Sequence, residues 1–178
     1  GHKIRVSISN CYWPLLWPTP DKDTLTLVQG KFDLPTSSHG DLDERKFQPA
    51  VVGEPWKIKS LREGGNQRNV KRDLKSGIVT TEIIDDFGKR MDQEHGLITG
   101  STAREWWSIH PDDPLSAHGR THWTEEIERE DWSVRTETYA EMWSDYETFY
   151  IKASLMAFHN GDLVFEKEFN QEIQRLKH

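Results

Sequence analysis

The chain has 178 residues with eight Trp and four Tyr, and 30 acidic against 23 basic side chains give it a formal net charge of −7. This balance argues against a nucleic-acid partner, because proteins that bind the phosphate backbone present a basic surface. No apolar run approaches the roughly 20 residues that cross a bilayer, so we expect no membrane partner. The single cysteine, Cys11, excludes an internal disulfide framework and a cysteine zinc cluster. It fits a reducing compartment, and we expect a cytoplasmic protein.

The first half of the sequence contains short β-like segments separated by irregular stretches. Residues 3–9 and 24–27 alternate apolar and polar side chains and are predicted to be short strands. The prolines between them lack the N–H that a strand ladder needs, so they should interrupt pairing. Residues 35–69 show little periodicity and are interpreted as a long surface connection. Residues 69–84 then predict a hairpin that turns at Lys75-Ser76-Gly77.

The second half predicts an antiparallel meander. Asn160-Gly161 is a strong hairpin signal, because both residues accept the positive φ that a two-residue turn requires. Residues 170–177 are predicted to form a short terminal helix. The expected fold is therefore all-β, mainly antiparallel, with little helix. The meander strands share an alternation of side chains between two faces, and they span residues 121–129, 132–142, 149–158 and 163–169.

The serines and histidines do not form a recognisable catalytic motif. The G-x-S-x-G pattern of a nucleophile elbow does not occur in the sequence, and residues 100–102 (Gly-Ser-Thr) are interpreted as a loop. His118 and His122 follow His110-Pro-Asp-Asp and offer possible metal ligands, but Pro-Asp-Asp-Pro is more typical of a turn. We therefore predict no catalytic residue, no metal and no cofactor.

Three glutamates and the cysteine have simple structural interpretations. Glu126, Glu128 and Glu130 fall on one face of a predicted strand and could supply an acid–base pair. Three like charges side by side are more typical of a solvated face with Lys or Arg on a neighbouring strand. Cys11 has no basic neighbour in the sequence, and we interpret it as a small apolar filler rather than a nucleophile.

The tryptophans leave two interpretations open. Trp13, Trp17, Trp106 and Trp107 are the candidate ligand-binding residues, since exposed aromatic rings can stack on sugar rings or apolar ligands. Core packing is the more common fate of Trp in a strand. Adjacent strand residues point to opposite faces, so at most one of Trp106 and Trp107 can face a given core.

Two groups of motifs show a resemblance to a known family. One group comprises Gly1-His-Lys-Ile-Arg-Val6, Tyr12-Trp-Pro14, Leu16-Trp-Pro18 and Thr24-Leu-Thr-Leu27. The other comprises Pro111-Asp-Asp-Pro-Leu-Ser-Ala117, Arg129-Glu-Asp-Trp-Ser-Val-Arg135, Ser144-Asp145 and Gly161-Asp-Leu-Val-Phe165. Together they resemble part of the CocE/NonD hydrolases, relatives of the Xaa-Pro dipeptidyl-peptidases and of cocaine esterase. The similarity is weakest over residues 35–66.

The resemblance implies that this chain is a fragment of a larger serine hydrolase. In that family an α/β-hydrolase domain carries a Ser-Asp-His triad, and a jelly-roll β-domain follows it. Residues 1–30 would then be the last jelly-roll strands and residues 31–178 a C-terminal β extension, within a single β-rich domain of sandwich or jelly-roll type. The first two residues would be native. The catalytic residues of the family would lie upstream, so none is carried onto this sequence.

The resemblance also implies a function. The chain would be the non-catalytic C-terminal region of a peptidase or esterase, inactive alone, helping to build the substrate cleft or an oligomer. Its expected partners are the upstream catalytic domain and further copies of itself. The alternative is an independent β-module that binds a carbohydrate or an apolar ligand through exposed tryptophans.

Overall fold

The computed structural model describes residues 2–22, 24–35 and 46–176. Within these residues the fold is all-β, as predicted, with no helix, and therefore none that could cross a membrane. Eight strands form one open antiparallel sheet. The strands are β1 (Ile58–Arg62), β2 (Gly65–Arg72), β3 (Val79–Asp92), β4 (Ile98–His110), β5 (Asp113–Arg129), β6 (Trp132–Ser144), β7 (Thr148–His159) and β8 (Asp162–Gln174).

From β3 to β8 every strand pairs with the next one in sequence, which confirms the predicted meander. The β7–β8 turn is the predicted one, with φ of 49° at Asn160 and 93° at Gly161. The Asn160 side chain also accepts a hydrogen bond from the backbone N–H of Ser133, at 2.8 Å. The turn is thereby attached to β6 as well as to its own two strands. The predicted hairpin at 69–84 is also present, as β2 and β3.

The strands β1 and β2 form one interrupted edge of the sheet, because both pair with β3. The interruption is a bulge between the two pairings. At the bulge Gly88 has a φ of 80°, and a Cβ there would lie 2.8 Å from the carbonyl oxygen of Arg62. Glycine permits this close approach. The predicted surface connection at 35–69 is therefore wrong from Ile58 onward, whereas residues 36–45 lie outside the described residues.

Other local predictions are also corrected. The described parts of residues 3–9 and 24–27 form no strand, since no neighbouring strand offers them ladder hydrogen bonds. Residues 100–102 lie within β4 rather than in a loop. The predicted helix from residue 170 is wrong, because β8 continues to Gln174. The pairing of Ile173 with Phe149 extends the ladder with β7 to that end.

The register divides the side chains between two unlike faces. The face that we call the apolar face carries Val79, Ile83, Ala103, Trp107, Ala117, Trp123, Ile127, Val134, Ala140, Met142, Phe149, Ile151, Ala153, Leu155, Ala157, Phe165, Phe169 and Ile173. The opposite side, which we call the charged face, carries Lys71, Glu82, Asp86, Lys89, Arg104, Trp106, His118, Arg120, His122, Glu126, Glu128, Glu137, Tyr139, Glu141, Lys152, Glu168 and Glu172.

Within the described residues neither face carries a full second layer. The apolar side chains buried there are small, namely Ala103, Ala117 and Pro18, and no large side chain is fully buried. The covering that exists comes from the N-terminal segment around Trp13 and Trp17, which lies over the end of the apolar face near Ser144. No other segment of the chain that the structure describes covers the rest of the apolar face.

Candidate functional site

The covered end of the apolar face contains a cluster of tryptophans. Trp13 packs edge-to-face against Trp17, with ring centroids 5.1 Å apart, and against Trp107 at 5.8 Å. Trp17 also contacts Phe149 at 6.1 Å and donates a hydrogen bond from Nε1 to Ser144 Oγ, at 3.0 Å. The structure thus brings together three of the four predicted ligand-binding residues. In this cluster the rings pack mainly against each other, which is the core-packing interpretation.

Trp106, the fourth candidate, lies on the charged face, as the alternation of a strand requires. Its Nε1 donates a hydrogen bond to Glu82 at 3.0 Å, and the Arg120 guanidinium lies 5.7 Å from its ring centroid. Glu82 also accepts hydrogen bonds from Lys71 and Asn69. The bonds from Lys71, Trp106 and Asn69 stabilise the carboxylate and lower the pKa of Glu82 to about 2. Trp106 is therefore part of a polar network rather than of an aromatic platform.

The open part of the apolar face has mostly small side chains on its two middle strands, β6 and β7, and we call this strip the central trough. It contains Thr136, Thr138, Ala140, Ala153 and Ala157, with the larger Leu155 between the two alanines of β7. Large aromatic side chains border it on the neighbouring strands. Trp123 on β5 is 38% exposed, and Phe165 and Phe169 on β8 are 48% and 40% exposed. The strand spacing makes the trough about 14 Å wide, room for the side chains of another layer.

A row of ion pairs crosses the charged face near β3. Lys89 bonds to Glu126 at 3.0 Å and to Glu128 at 2.6 Å, and Arg62 bonds to Glu126 at 3.0 Å. Burial alone would raise the pKa of Glu126, but the Lys89 and Arg62 hydrogen bonds outweigh it and lower the pKa. Glu126 and Glu128 have the basic partners predicted for them, but their side chains are partly buried rather than solvated. Glu130 instead lies in the β5–β6 turn, with a φ of 56°.

His118 and His122 both lie on the charged face of β5. The His122 ring stacks on Tyr139 with centroids 4.0 Å apart, and its Nε2 is 3.7 Å from a carboxylate oxygen of Glu137. Burial and the nearby Arg104 charge lower the pKa of His122, so the neutral ring is favoured. Ser101 lies on the opposite face of the sheet, so the backbone layer separates it from both histidines.

The segment around His110 forms the turn between β4 and β5, as predicted. The His110 ring accepts a hydrogen bond at Nδ1 from the Asp112 N–H, at 3.1 Å. The Ser116 hydroxyl accepts from the His110 N–H at 2.7 Å and donates to the Asp113 carbonyl at 2.6 Å. These groups therefore fix the turn. Within the described ranges no group of three or more His, Cys, Asp or Glu side chains is placed to hold a metal ion.

Two residues have surroundings that the sequence does not predict. Cys11 is exposed, so its interpretation as an apolar filler is wrong. It lines a shallow surface depression with Pro18 and Pro111. Arg175 belongs to no motif in the sequence, yet it bonds to Ser144 and to the carbonyl of Pro18 and holds the N-terminal segment on the sheet. A cation near the chain end carries no sequence signal for such a role, because its partners are up to 157 positions away.

Comparison with known proteins identified no matching protein family, no similar curated protein and no similar solved structure.

Proposed function

We propose that this chain is the non-catalytic β-region of an α/β-hydrolase-type serine hydrolase, a peptidase or esterase similar to the Xaa-Pro dipeptidyl-peptidases. In this role its single open sheet works as an interaction module, and it helps to build the substrate cleft or the oligomer. The family part of the proposal is supported by the motifs Gly1-His-Lys-Ile-Arg-Val6 and Tyr12-Trp-Pro14. The interaction part is supported by the sheet itself.

The observation that carries the proposal is the open apolar face. The accessible surface of the chain is 14753 Å², whereas a compact monomer of 20.8 kDa exposes about 9,000 Å². Part of the excess belongs to residues 2–12, 24–35 and 46–57, which are exposed throughout. The remainder includes the central trough and its aromatic borders. Monomeric proteins rarely expose a continuous apolar patch larger than a few hundred Å², and larger patches mark surfaces that another molecule or domain covers.

The placement of the polar groups supports a non-catalytic role. Acyl transfer by a serine needs a base within hydrogen-bond reach of the hydroxyl and donors aimed at the oxyanion. Ser101 and the histidines of β5 lie on opposite faces of one sheet. Ser116 is nearer to a histidine, His110, but its hydroxyl already donates its proton to the Asp113 carbonyl. These serines therefore serve the strands and turns in which they lie.

The test is to expose the purified chain to a serine-reactive fluorophosphonate, a chromogenic ester and an Xaa-Pro amide. We expect neither labelling nor turnover above that of the heat-denatured chain. Stoichiometric labelling of one serine, or turnover that Ser101→Ala, His110→Ala or His118→Ala abolishes, would show an active site and overturn the proposal. Coding sequence upstream of Gly1 without a G-x-S-x-G motif would overturn the assignment to a serine hydrolase.

One observation favours the alternative of a carbohydrate- or apolar-ligand-binding module. Phe87 and Trp123 stack with their centroids 6.2 Å apart on the apolar face, and they are 56% and 38% exposed. An exposed aromatic pair of this kind can hold a sugar ring or an apolar chain. Titration calorimetry with an oligosaccharide panel would support this function if binding occurs and Trp123→Ala abolishes it. Trp132→Ala is the matched control, since that tryptophan is similarly exposed at 43%.

A further inference from the structure

We propose that a second copy of this chain covers the apolar face, with the two sheets packed face to face about a two-fold axis that runs between β6 and β7. This inference deepens the proposed function and rests on it for its setting, because it names the partner through which an oligomer would form. Two sheets that pack in this way keep their strands within about 30° of each other and share one apolar layer.

The shape of the face fits this arrangement. The two-fold rotation lays β6 of one copy over β7 of the second, and β5 over β8. The small side chains of the central trough, among them Ala140 and Ala153, would meet across the axis and allow close approach. The aromatic borders, Trp123 on β5 and Phe169 on β8, would then lie against each other at both sides of the trough. A contact in which the same patch serves both copies is the usual geometry of a homodimer.

The available area is close to what a specific dimer needs. Under this axis the four strands from β5 to β8 of the two copies overlap, whereas β4 lies outside the contact. The strands are about 4.8 Å apart, and about nine residues of each lie beyond the end that the tryptophan cluster covers, which gives a shared face of about 19 by 30 Å, or roughly 580 Å² for each copy. The total of about 1,150 Å² lies at the lower limit of the range of about 1,200–2,000 Å² that specific interfaces bury.

The charges on the face are complementary under the same axis. Glu125 on β5 and Lys167 on β8 are both exposed on the apolar face. They lie on opposite sides of the axis, each about 7 Å from it, and two residues apart along the strands. Glu125 of one copy therefore comes within reach of Lys167 of the second, and the symmetry forms this pair twice. Such pairs fix the register of two apolar surfaces.

Pairing through the free edge strand would be less favourable. β8 is exposed along its whole length, but it carries four acidic side chains and one lysine. Antiparallel pairing of β8 with β8 of a second copy would bring these acidic side chains together. The apolar face carries no such repulsion and buries far more apolar surface.

The experiment compares the oligomeric state of the full chain with that of variants, by sedimentation over a wide range of protein concentration. We expect a dimer, and we expect Ala153→Arg to raise its dissociation constant about tenfold or more, since a charge would enter the centre of the interface. Ser154→Arg is the matched control, because it adds the same charge one residue away on the opposite face. It should leave the dimer intact.

A second set of variants guards against misfolding of Ala153→Arg. Glu125→Lys and Lys167→Glu change exposed side chains, and each should weaken the dimer about threefold or more, whereas the double variant should recover most of the loss. Circular dichroism checks that all variants keep their strands. A monomer at every concentration, or a dimer that neither set weakens, would overturn the inference.

The outcome is separable from that of the proposed function. A monomer that the fluorophosphonate does not label overturns the two-fold dimer and leaves the non-catalytic role standing. A labelled serine overturns the non-catalytic role whatever the mass of the particle. A dimer that Asn170→Pro in β8 dissociates, while Ala153→Arg does not, would establish edge pairing and overturn the face-to-face arrangement.

Discussion

Gly119 and Trp107 face each other across β4 and β5 on the apolar face. A Cβ at Gly119 would lie 2.6 Å from Cζ3 of the Trp107 ring, well inside contact distance. The ring is not free to move away, since it packs on Trp13 and donates from Nε1 to Glu105 at 2.9 Å. Because Gly119 has no side chain, the Trp107 ring can pack directly against β5, and the rest of the tryptophan cluster can pack against that ring.

We expect Gly119→Ala to lower the free energy of unfolding by about 1–3 kcal/mol, the usual cost of forcing an extra methyl group into a packed site. Gly65→Ala is the control, since a Cβ at that strand position meets no atom within 4 Å. Urea denaturation of both variants provides the measurement. If the two substitutions lower the free energy of unfolding equally, the close contact with Trp107 does not affect stability.

Glu82 makes the stability depend on pH. Its pKa falls from an ordinary value of 4.5 to about 2 in the folded chain, through hydrogen bonds from Lys71, Trp106 and Asn69. A folded-state pKa below the unfolded one stabilises the fold at pH values above about 4.5, and this contribution is lost as the pH falls toward 2. Glu82→Gln should therefore lower the free energy of unfolding near neutral pH. The gap in unfolding free energy between this variant and the natural chain should shrink as the pH approaches 2.

Urea denaturation at several pH values measures this difference. Glu166→Gln on β8 is the control, since Glu166 is an exposed glutamate on the same face. The free energy of unfolding of Glu166→Gln should differ little from that of the natural chain at every pH. A Glu82→Gln deficit that stays constant between pH 6 and 2 would show that the lost interactions are not those of the charged carboxylate.

The sequence predicts which face a residue occupies more readily than what it contacts there. The opposite orientations of Trp106 and Trp107 follow from the two-residue period of a strand alone. The attachment of Trp106 to Glu82 depends on the register between β3 and β4, which local alternation does not specify. For the same reason Lys89 could not be identified in advance as the partner of Glu126 and Glu128.

Among the elements, the N-terminal segment depends on one cation for its position. Arg175 follows β8 and donates to the Pro18 carbonyl at 2.7 Å and to Ser144 Oγ at 2.9 Å. Its guanidinium also lies 4.6 Å from the ring centroid of Phe149, which contacts Trp17. Substitution of this residue removes contacts to the segment and to the sheet at once, while leaving the β7–β8 ladder in place.

We expect Arg175→Ala to speed amide hydrogen exchange in residues 12–18 while exchange in β4 to β7 is unchanged. The Leu16 N–H, which donates to the Tyr12 carbonyl at 2.9 Å, is a specific reporter. Lys152→Ala is the control, because that lysine also lies over an aromatic ring, Trp143, but does not contact the N-terminal segment. Equal exchange in the two variants would mean that the tryptophans alone hold the segment.

The strands that the sequence predicted correctly are those whose pairing is local. From β5 to β8 each strand is joined to the next by a short turn, so periodicity and the Asn160-Gly161 signal were sufficient. The sequence does not predict β1, and it predicts β2 only in part, because both strands are largely polar and pair with β3 on either side of the bulge at Gly88. Residues 3–9 had the right periodicity but no neighbouring strand to pair with, and periodicity alone does not form a ladder.

On the scale of the whole molecule, the layer architecture explains both the open surface and the expected need for a partner. A sheet with one apolar side is stable when another layer covers that side. Here a cover is present at one end of the sheet, where Trp13 and Trp17 lie. The charged face has its own ion pairs and needs no cover. The absence of a second layer over the central trough is not visible in a sequence, because alternation is the same in open and covered sheets.

This architecture makes a prediction for the dissociated chain. An unfolded chain of 20.8 kDa exposes about 30,000 Å², so folding to 14753 Å² buries about 15,000 Å², whereas a compact domain would bury about 21,000 Å². The dependence of unfolding free energy on urea scales with the surface that unfolding exposes. The slope for the Ala153→Arg variant, which we expect to be monomeric, should therefore be about 30% below that of a compact domain of 178 residues.

The natural chain provides the comparison. In the proposed dimer each chain should unfold with a steeper slope, because the interface is exposed in the same transition, and the midpoint should rise with protein concentration. Ser154→Arg should behave like the natural chain, since its charge lies on the charged face, opposite the proposed interface. A slope typical of a compact domain in the monomeric variant would mean that the apolar face and the exposed residues 2–12, 24–35 and 46–57 are covered from within the chain, which would contradict the open-sheet architecture.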